Sequence, residues 1–299
     1  MNEYTLVLLA AGKGSRFGGL KQLHTFEPQG ATLAEFALWD AWQHGFRNFV
    51  AVVSEETQEG FQEIFKKWGL EDRSTCILQE QNDSKTKQFS RQKPWGTAHA
   101  LYSVRQHVHT PFVIINADDF YGRDAYHYAA QFLQTHKEDY ALVGYPLGKT
   151  LSSNGSVSRA ICTLNEDHYV THLQEYSHIE EKNGQIIGQM DDQSLDLDTN
   201  TFVSLNFWIL QPSIFKPLEE KWNMFLEQLT DPQKDEFYLP VAIQSIAQDL
   251  GLNIHCLPNL NGHWLGVTYA QDAASVQNAL ADLTQEKQYP LHMPIQFKK

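Results

Sequence analysis

The sequence predicts an α/β protein with a mixed, mainly parallel central sheet that is flanked by helices on both faces. Short β-rich runs alternate with amphipathic runs through the first half of the chain. Such alternation implies right-handed crossover connections, which place helices on both faces of a parallel sheet. The chain also has 299 residues, of which 42% are hydrophobic, so it can bury a substantial core.

The first half holds the regular part of this pattern. Apolar runs rich in β-branched and aromatic residues predict strands, and glycines 45 and 69 end the first two helices. The predicted strands are YTLVLLA (4–10), NFVAVV (48–53), STCILQ (74–79), PFVIIN (111–116) and YALVGYP (140–146). The predicted helices between them are ATLAEFALWDAWQHG (31–45), EETQEGFQEIFKKWG (55–69), TAHALYSVRQHV (97–108) and DAYHYAAQFLQTH (124–136).

The second half is less regular, and some of its strands are expected to be antiparallel. The predicted strands are SRAICTL (158–164), HYVTHLQEY (168–176), TFVSLNFWIL (201–210), LNIHCLP (252–258) and HWLGVTY (263–269). The predicted helices are FKPLEEKWNMFLEQL (215–229), EFYLPVAIQSIAQDLG (236–251) and AQDAASVQNALADLTQ (270–285). No linker rich in Pro, Gly or Ser separates the halves, so residues 1–299 are expected to form a single domain.

Charge and cysteine content exclude several classes of protein. The net charge of −13 argues against a nucleic-acid partner, because backbone binding needs clustered Lys and Arg. Three cysteines stand far apart without a CxxC pair, which argues against a zinc site or disulfides and fits a reducing compartment. The first apolar run is too short to span a membrane and lacks the basic start of a signal peptide. We therefore expect a cytoplasmic protein without a membrane partner; the oligomeric state stays open.

The segment LLAAGKGSRFGGLKQ (8–22) follows the first predicted strand and is the clearest functional motif. Gly-rich turns between a strand and a helix bind phosphates, since their backbone N–H groups can converge on the oxygens. A Walker A loop fits poorly, because Leu20 precedes Lys21 and Gln22 replaces the hydroxyl residue. A dinucleotide fingerprint also fits poorly, because Phe17 occupies its third glycine position. The remaining pattern, LAAGxGxR followed by a lysine, is complete.

This motif resembles the signature of the sugar-phosphate nucleotidylyltransferases, which have a GT-A-like, nucleotide-diphospho-sugar transferase-like fold. Three later segments resemble motifs of the same family in the same order: KPWGTAHAL (93–101), INADDFYG (115–122) and HWLGVTYAQD (263–272). The resemblance implies an Mg²⁺-dependent enzyme that joins a nucleoside triphosphate to a small phosphorylated acceptor and releases pyrophosphate. It also implies that the N-terminal half binds the nucleotide and the C-terminal half the acceptor.

Roles at the phosphates follow from the family chemistry, in which the protein mostly positions and neutralises charge. Arg16 and Lys21 are the candidate catalytic residues. Arg16 suits the leaving β- and γ-phosphates, and Lys21 suits the α-phosphate or the incoming phosphate. Asp118 is the candidate Mg²⁺ ligand, whereas Asp119 is expected to serve as a turn or helix-cap residue. The triphosphate is expected to lie against the backbone of Ala10, Ala11, Gly12, Gly14 and Ser15.

The resemblance also implies that Gly96 and Thr97 present backbone groups to the edge of the base. GTAHA (96–100) looks most like the pyrimidine-using members, so UTP ranks first, then CTP and dTTP. Gln79 or Gln81 would add a side-chain hydrogen bond to the base, and the sequence does not choose between them. Trp95 is expected to form a wall beside the base.

The acceptor side departs from the family pattern. The usual Glu-Lys pair keeps Glu175 but has Tyr176 in place of the lysine, and Gly266 stands where a second metal-binding carboxylate is usual. Asn206 and Glu236 are expected to line the acceptor pocket with Glu175. The missing carboxylate leaves two interpretations open. The metal would have one protein ligand and more from water and phosphate, or the acceptor would be other than a hexose 1-phosphate, such as phosphocholine or a phosphorylated amino sugar.

Two other functions remain open at this level. The first is a molybdenum-cofactor-type guanylyl- or cytidylyltransferase, which has a similar loop, although GTAHA argues against it. The second is a catalytically inactive nucleotide-sensing domain, which Tyr176 and Gly266 would allow. The complete set of Arg16, Lys21 and Asp118 argues for an enzyme. His168 and His172 are expected to be solvated rather than metal-bound, because no third ligand accompanies them.

Overall fold

A computed structural model describes residues 3–12, 19–190, 193–293 and 297. Its strands are β1 (Tyr4–Ala10), β2 (Thr25–Phe26), β3 (Ala31–Thr32), β4 (Phe46–Val53), β5 (Ser74–Leu78), β6 (Phe112–Asn116), β7 (Asp119–Phe120), β8 (Tyr140–Pro146), β9 (Val157–Leu164), β10 (Val170–Lys182), β11 (Gln185–Met190), β12 (Gln193–Leu197), β13 (Phe202–Leu210), β14 (Ile254–Pro258) and β15 (Leu265–Gly266). Its α-helices are α1 (Leu33–Gln43), α2 (Glu55–Lys67), α3 (Thr97–Ser103), α4 (Arg123–Thr135), α5 (Phe215–Glu227), α6 (Leu239–Leu250) and α7 (Asp272–Gln285).

One 11-stranded mixed sheet organises the fold, in the order β12-β11-β10-β9-β13-β6-β1-β4-β5, with β8 paired to β13 and β14 paired to β8. The strands β6, β1, β4 and β5 are parallel neighbours. The second half adds antiparallel partners through β13, which pairs with β6, β8 and β9. The predicted α/β class with a mixed sheet between helices is confirmed.

Alternation along β1 explains why helices cover both faces of the sheet. Leu6 and Leu8 belong to one hydrophobic core, whereas Val7 and Leu9 belong to the other. Side chains alternate across a strand, so a continuous apolar run supplies both cores at once. Every residue of β1 is buried accordingly.

The second half differs from the prediction at two places. The hairpin of β11 and β12 is absent from the predicted strands, and it has few buried side chains, Ile186 being one of them. The segment 263–269 contains only the two-residue strand β15, which pairs with β7 rather than with the main sheet. Both differences occur where apolar periodicity is too short to predict pairing. Among the described residues, no helix is long and apolar enough to cross a membrane.

Candidate active site

Two cavities open at the ends of the parallel strands. The side cavity, of about 520 Å³, is bounded by residues that follow β1, β4 and β5, including Ala11, Ser54 and Gln79. The central cavity, of about 640 Å³, lies beyond β6 and reaches the antiparallel strands β9, β10 and β13. Its lining residues include Lys21, Thr97, Asp118, Asp119, Arg159, Glu175, Asn206, Tyr238 and Trp264. Loops at the carboxyl ends of parallel strands are the usual place for ligands in such sheets.

Lys21 and Asp118 meet in the central cavity. The Lys21 Nζ lies 2.7 Å from the Asp118 Oδ2, and both side chains are largely buried. Burial alone would lower the pKa of Lys21, but the nearby carboxylates of Asp118 and Asp119 outweigh it and raise that pKa. The ammonium therefore stays charged beside a carboxylate.

Asp119 lies behind this pair and is not a helix cap, because Gly122 is the N-cap of α4. The carboxylate is buried within β7, where its Oδ2 accepts a hydrogen bond of 3.0 Å from the Asn116 Nδ2. Burial, together with the negative charge of Asp118, raises the pKa of Asp119 to about 6. Asn116 is in turn contacted by the Asn206 Nδ2, which donates to its Oδ1 over 3.3 Å.

The residues around Asp118 fit a magnesium ion. Burial and, second to it, the charge of the adjacent Asp118 raise the pKa of Asp119, although Lys21 already contributes a positive charge. Carboxylate oxygens are the ligands that Mg²⁺ prefers, and the ion needs few of them when phosphates and waters complete its shell. Asp118 and Asp119 therefore supply donors of the right kind.

Arg159 is a component of the cavity that the sequence did not reveal. It lies on β9, is only 9% exposed, and packs its guanidinium 4.8 Å from the ring centre of Trp264. Its Nε donates to the Thr150 Oγ1 over 3.2 Å. Burial lowers the pKa of Arg159 to about 10, although Asp119 and Glu175 act in the opposite direction. The side chain remains a buried cation at neutral pH.

Strand register relates Arg159 to the lysine that the sequence lacks. Arg159 stands directly opposite Tyr176 in the antiparallel pair of β9 and β10. Position 176 has no positive charge, but Arg159 supplies one from the neighbouring strand β9. The signal that could have found it is the alternation within SRAICTL, which places Arg159 among apolar residues.

Two of the three predicted acceptor residues reach the central cavity. Glu175 and Asn206 line it, and burial raises the pKa of Glu175 despite the nearby Arg159 charge. Glu236 is not among the lining residues; its Oε1 instead lies 3.2 Å from the Nζ of Lys93. Tyr238, two residues further along the chain, occupies the wall instead.

The predicted base-binding residues have different surroundings. Gln79 is buried at the side cavity, and its Nε2 donates to the Gly96 carbonyl over 2.9 Å. Gln81 lines the same cavity. Thr97 lines the central cavity instead, and its hydroxyl accepts a hydrogen bond from the Leu239 N–H over 3.0 Å.

Trp95 was predicted to form a wall beside the base, and this is wrong. Its side chain is completely buried and packs against Trp222, with ring centres 5.7 Å apart. The indole Nε1 donates to the Gln81 carbonyl over 2.7 Å. The tryptophan is a core residue that anchors the neighbouring segment, because its packing partner comes from a helix far away in sequence.

Packing explains why position 96 is a glycine, and open space for a base is not needed to explain it. It caps α3 with a φ of 106°, which side chains rarely adopt. A Cβ at this position would lie 2.5 Å from the Phe237 carbonyl oxygen. The close approach of two backbones therefore requires glycine here, whatever the segment binds.

The first loop is described only at its two ends. Ala10 and Ala11 are buried at the end of β1, and the Gly12 carbonyl accepts a 2.8 Å hydrogen bond from the Gln22 Nε2. This bond ties the start of the loop to the short 3₁₀ turn Lys21–Leu23. The predictions for Gly14, Ser15 and Arg16 lie outside the described residues.

Gly266 pairs with Asp119 across β15 and β7, so its backbone does approach the carboxylates. A Cβ there would lie 2.3 Å from the Trp264 ring, which fills the space that a side chain at position 266 would need. The glycine and the tryptophan together replace a carboxylate with an apolar surface.

This arrangement defines an α/β protein with two cavities at the carboxyl ends of its parallel strands, the usual place for ligands in such sheets. A family model described as nucleotidyl transferase matches residues 5–184. The chain belongs to the nucleotidyl transferase family and is an enzyme of that class, which confirms the resemblance of its sequence motifs.

Solved structures show the same fold over almost the whole chain. The inositol-1-phosphate CTP transferase from T. maritima is 15% identical and superposes with a TM-score of 0.66, covering 95% of this chain and 98% of that one. A protein described as a glucose-1-phosphate thymidylyltransferase from Bacillus anthracis, solved in complex with a sucrose, is 14% identical with a TM-score of 0.62; the match covers 93% of this chain and 95% of that one. No curated protein matches the chain in sequence.

Proposed function

We propose that the protein joins a nucleoside triphosphate, UTP before CTP or dTTP, to a phosphorylated sugar or a related small phosphate and releases pyrophosphate. The observation that carries this proposal is the 2.7 Å contact of Lys21 with Asp118 in the central cavity. It combines a phosphate-binding cation and a metal-binding anion at the end of a parallel strand. Membership of the nucleotidyl transferase family supports the same reaction.

The reaction is a substitution at the α-phosphorus. An oxygen of the acceptor phosphate forms a bond to the α-phosphorus. At the same time the bond between the α-phosphorus and the oxygen that bridges to the β-phosphate breaks, and pyrophosphate leaves. The acceptor phosphate is already ionised at neutral pH, so the attack needs no general base. The ammonium of Lys21 neutralises charge on the reacting phosphates. Mg²⁺, when bound by Asp118 and Asp119, would supply further positive charge to the phosphate oxygens.

The acceptor is proposed to bind between β9, β10 and β13. Arg159 provides a buried positive charge for its anionic group, and Glu175 and Asn206 provide hydrogen-bond partners for its hydroxyl or amino groups. The carboxylates of Asp119 and Glu175 already act on this guanidinium, but the Arg159 side chain also lines the central cavity, where a ligand can reach it. We therefore infer that the anionic group of the acceptor binds near Arg159.

The base is proposed to bind in the side cavity. The Nε2 of Gln79 already donates to Gly96, so its carbonyl oxygen is the atom directed to a ligand. An acceptor oxygen suits the N3–H of uracil, and equally that of thymine, but not the N3 of cytosine, which has no proton; this supports UTP over CTP. Discrimination by a hydrogen-bonded edge is usually strong, since the wrong base leaves a buried polar group unpaired.

Pyrophosphate release tests this proposal directly. Purified protein with Mg²⁺ is incubated with UTP, CTP, dTTP, ATP or GTP and with a panel of acceptors: hexose 1-phosphates, inositol 1-phosphate, phosphocholine and phosphorylated amino sugars. Each reaction is run with and without the acceptor, so that plain triphosphate hydrolysis is subtracted. We expect acceptor-dependent pyrophosphate with UTP and mass-spectrometric detection of the diphospho product. Acceptor-dependent turnover with a purine triphosphate alone would contradict the pyrimidine assignment.

A further inference from the structure

A second group of potential metal ligands lies at the opposite ends of the strands from Asp118. His136 directly follows α4, Asp139 directly precedes β8, and His255 lies on the adjacent strand β14. The strand β8 is antiparallel to β13, which is antiparallel to β6, so β8 and β6 run in the same direction. Asp139 lies just before the first residue of β8, whereas Asp118 lies just after the last residue of β6. The two sites are therefore separated by the length of these strands.

The three side chains are close enough to share one ion. One ligand atom from each lies within 4.8 Å of the others, and no other such group of His, Cys, Asp or Glu occurs in the described part of the chain. The His255 Nε2 lies 3.4 Å from the Asp139 Oδ2. Two ligands at the usual distances of about 2.0–2.2 Å from a tetrahedral Zn²⁺ stand roughly 3.4 Å apart. This pair therefore has the spacing of a tetrahedral edge.

Neighbouring groups orient the ring of His136 for metal binding. Its Nδ1 lies 2.9 Å from the Thr135 Oγ1, and that hydroxyl donates to the Gln131 carbonyl over 3.1 Å. In the tautomer that carries its proton on Nδ1, the hydroxyl accepts from Nδ1–H and the lone pair of Nε2 is left to bind a metal. The imidazole also stacks on Phe132 with ring centres 4.2 Å apart.

The ring of His255 is held as firmly. It packs edge-on against Tyr169 at 4.7 Å and against Phe132 at 5.0 Å, and its backbone is fixed by the pairing of β14 with β8. This packing holds the ring in the orientation that places its Nε2 3.4 Å from the Asp139 Oδ2.

We propose that His136, Asp139 and His255 bind a divalent transition-metal ion, with Zn²⁺ as the ion that best matches two imidazole nitrogens and one carboxylate oxygen. Such a donor set discriminates against Mg²⁺, which prefers oxygen ligands. The bound ion would connect the α4–β8 turn to β14 and so stabilise this edge of the sheet. A water would complete the coordination shell, since the structure provides three protein ligands.

Zn²⁺ titration of the complete chain, purified without a histidine tag, tests the site. Competition with a chromophoric chelator gives stoichiometry and affinity, and Co²⁺ substitution reports tetrahedral geometry through visible absorption. We expect one tight ion per chain and a rise in melting temperature with Zn²⁺. His255→Gln and Asp139→Asn should each weaken the affinity by on the order of 100-fold or more, because even the loss of a group that only hydrogen-bonds a metal ligand costs about 10–100-fold.

Two further variants serve as controls. His172→Gln removes an exposed imidazole outside the cluster, and Asp118→Asn alters the carboxylates of the central cavity. Both should keep the tight Zn²⁺ site and the metal-dependent rise in melting temperature. Circular dichroism of the metal-free proteins checks that every variant folds. The proposal fails if the unmodified chain binds no stoichiometric Zn²⁺, if His255→Gln and Asp139→Asn bind it as tightly, or if Asp118→Asn alone removes it.

Discussion

Lys21 shows how one side chain connects structure with chemistry at the residue scale. Its ammonium is kept charged by the carboxylates around it and faces the cavity where phosphates are proposed to bind. Lys21→Ala should lower kcat/KM by on the order of 10²–10³, the usual loss when one preorganised charge contact is removed. Lys182→Ala, which removes an exposed lysine, is the matched control. Steady-state kinetics and melting temperatures of both variants are compared, and near-normal turnover of Lys21→Ala would contradict its role.

Arg159 is predicted to act on the acceptor rather than on the nucleotide. Arg159→Gln should lower kcat/KM for the acceptor by about 10–100-fold, because hydrogen bonds to charged groups contribute about 1.5–3 kcal/mol. The KM for the triphosphate should change little. Arg159→Lys keeps the charge and should restore part of the loss, whereas a purely structural role predicts no such recovery. Arg73→Gln, which alters a partly exposed arginine that pairs with Glu3, is the control. Equal losses for both substrates would refute an acceptor-specific role.

At the scale of elements, the start of α3 depends on a glycine. Gly96→Ala should lower the free energy of unfolding by more than Gly45→Ala. Both residues have positive φ, which costs about 1–3 kcal/mol for a side chain, but only Gly96 would also bring a Cβ against a backbone. A Cβ added at Gly45 would have no other atom within 4 Å, so Gly45→Ala is a matched control. Urea unfolding of both variants measures the difference, and equal losses would mean that the Phe237 backbone moves aside without cost.

The strands of the first half could be predicted from sequence because each is a continuous apolar run between clear helix signals. The hairpin of β11 and β12 could not, because its residues are mostly exposed and its pairing depends on neighbours rather than on its own pattern. Trp95 illustrates a second limit. Its motif predicted contact with a ligand, but its partner Trp222 is distant in sequence, and only the fold brings the two together.

Residues of the candidate site could be predicted where a side chain of suitable chemistry follows a predicted parallel strand. Lys21 and Asp118 both follow predicted parallel strands, whose carboxyl ends meet on one side of the sheet, and the two side chains do meet there. Arg159 was not predictable, because its position opposite Tyr176 depends on the register of β9 and β10. The proposed functional roles of all these residues stay predictions until their kinetics are measured.

At the scale of the whole molecule, Asp40 links helix α1 to segments far along the chain. It is buried, and its Oδ2 accepts a short hydrogen bond of 2.5 Å from the Tyr289 hydroxyl. The Arg123 Nε lies 3.6 Å from its Oδ1, which is too far for a hydrogen bond. Burial raises the pKa of Asp40 to about 7; Tyr289 and Arg123 act in the opposite direction, and the negative charge of Asp124 adds to the rise. Burial raises the pKa of Tyr126, and the nearby Asp40 adds to this rise.

Asp40→Asn is therefore predicted to change how stability depends on pH. The carboxyl group has a folded-state pKa of about 7, above the ordinary value of 3.8, so the stability it contributes is complete below about pH 4 and is lost as pH rises through about 7. The free energy of unfolding of the unmodified protein should fall by a few kcal/mol between pH 5 and pH 8 through this group. Asn keeps the acceptor for Tyr289 but cannot ionise, so the variant should lose this decline and be the more stable protein at pH 8. Urea unfolding at several pH values measures it, with Asp167→Asn as an exposed control; parallel pH profiles for Asp40→Asn and the unmodified protein would show that Asp40 is already ionised at low pH.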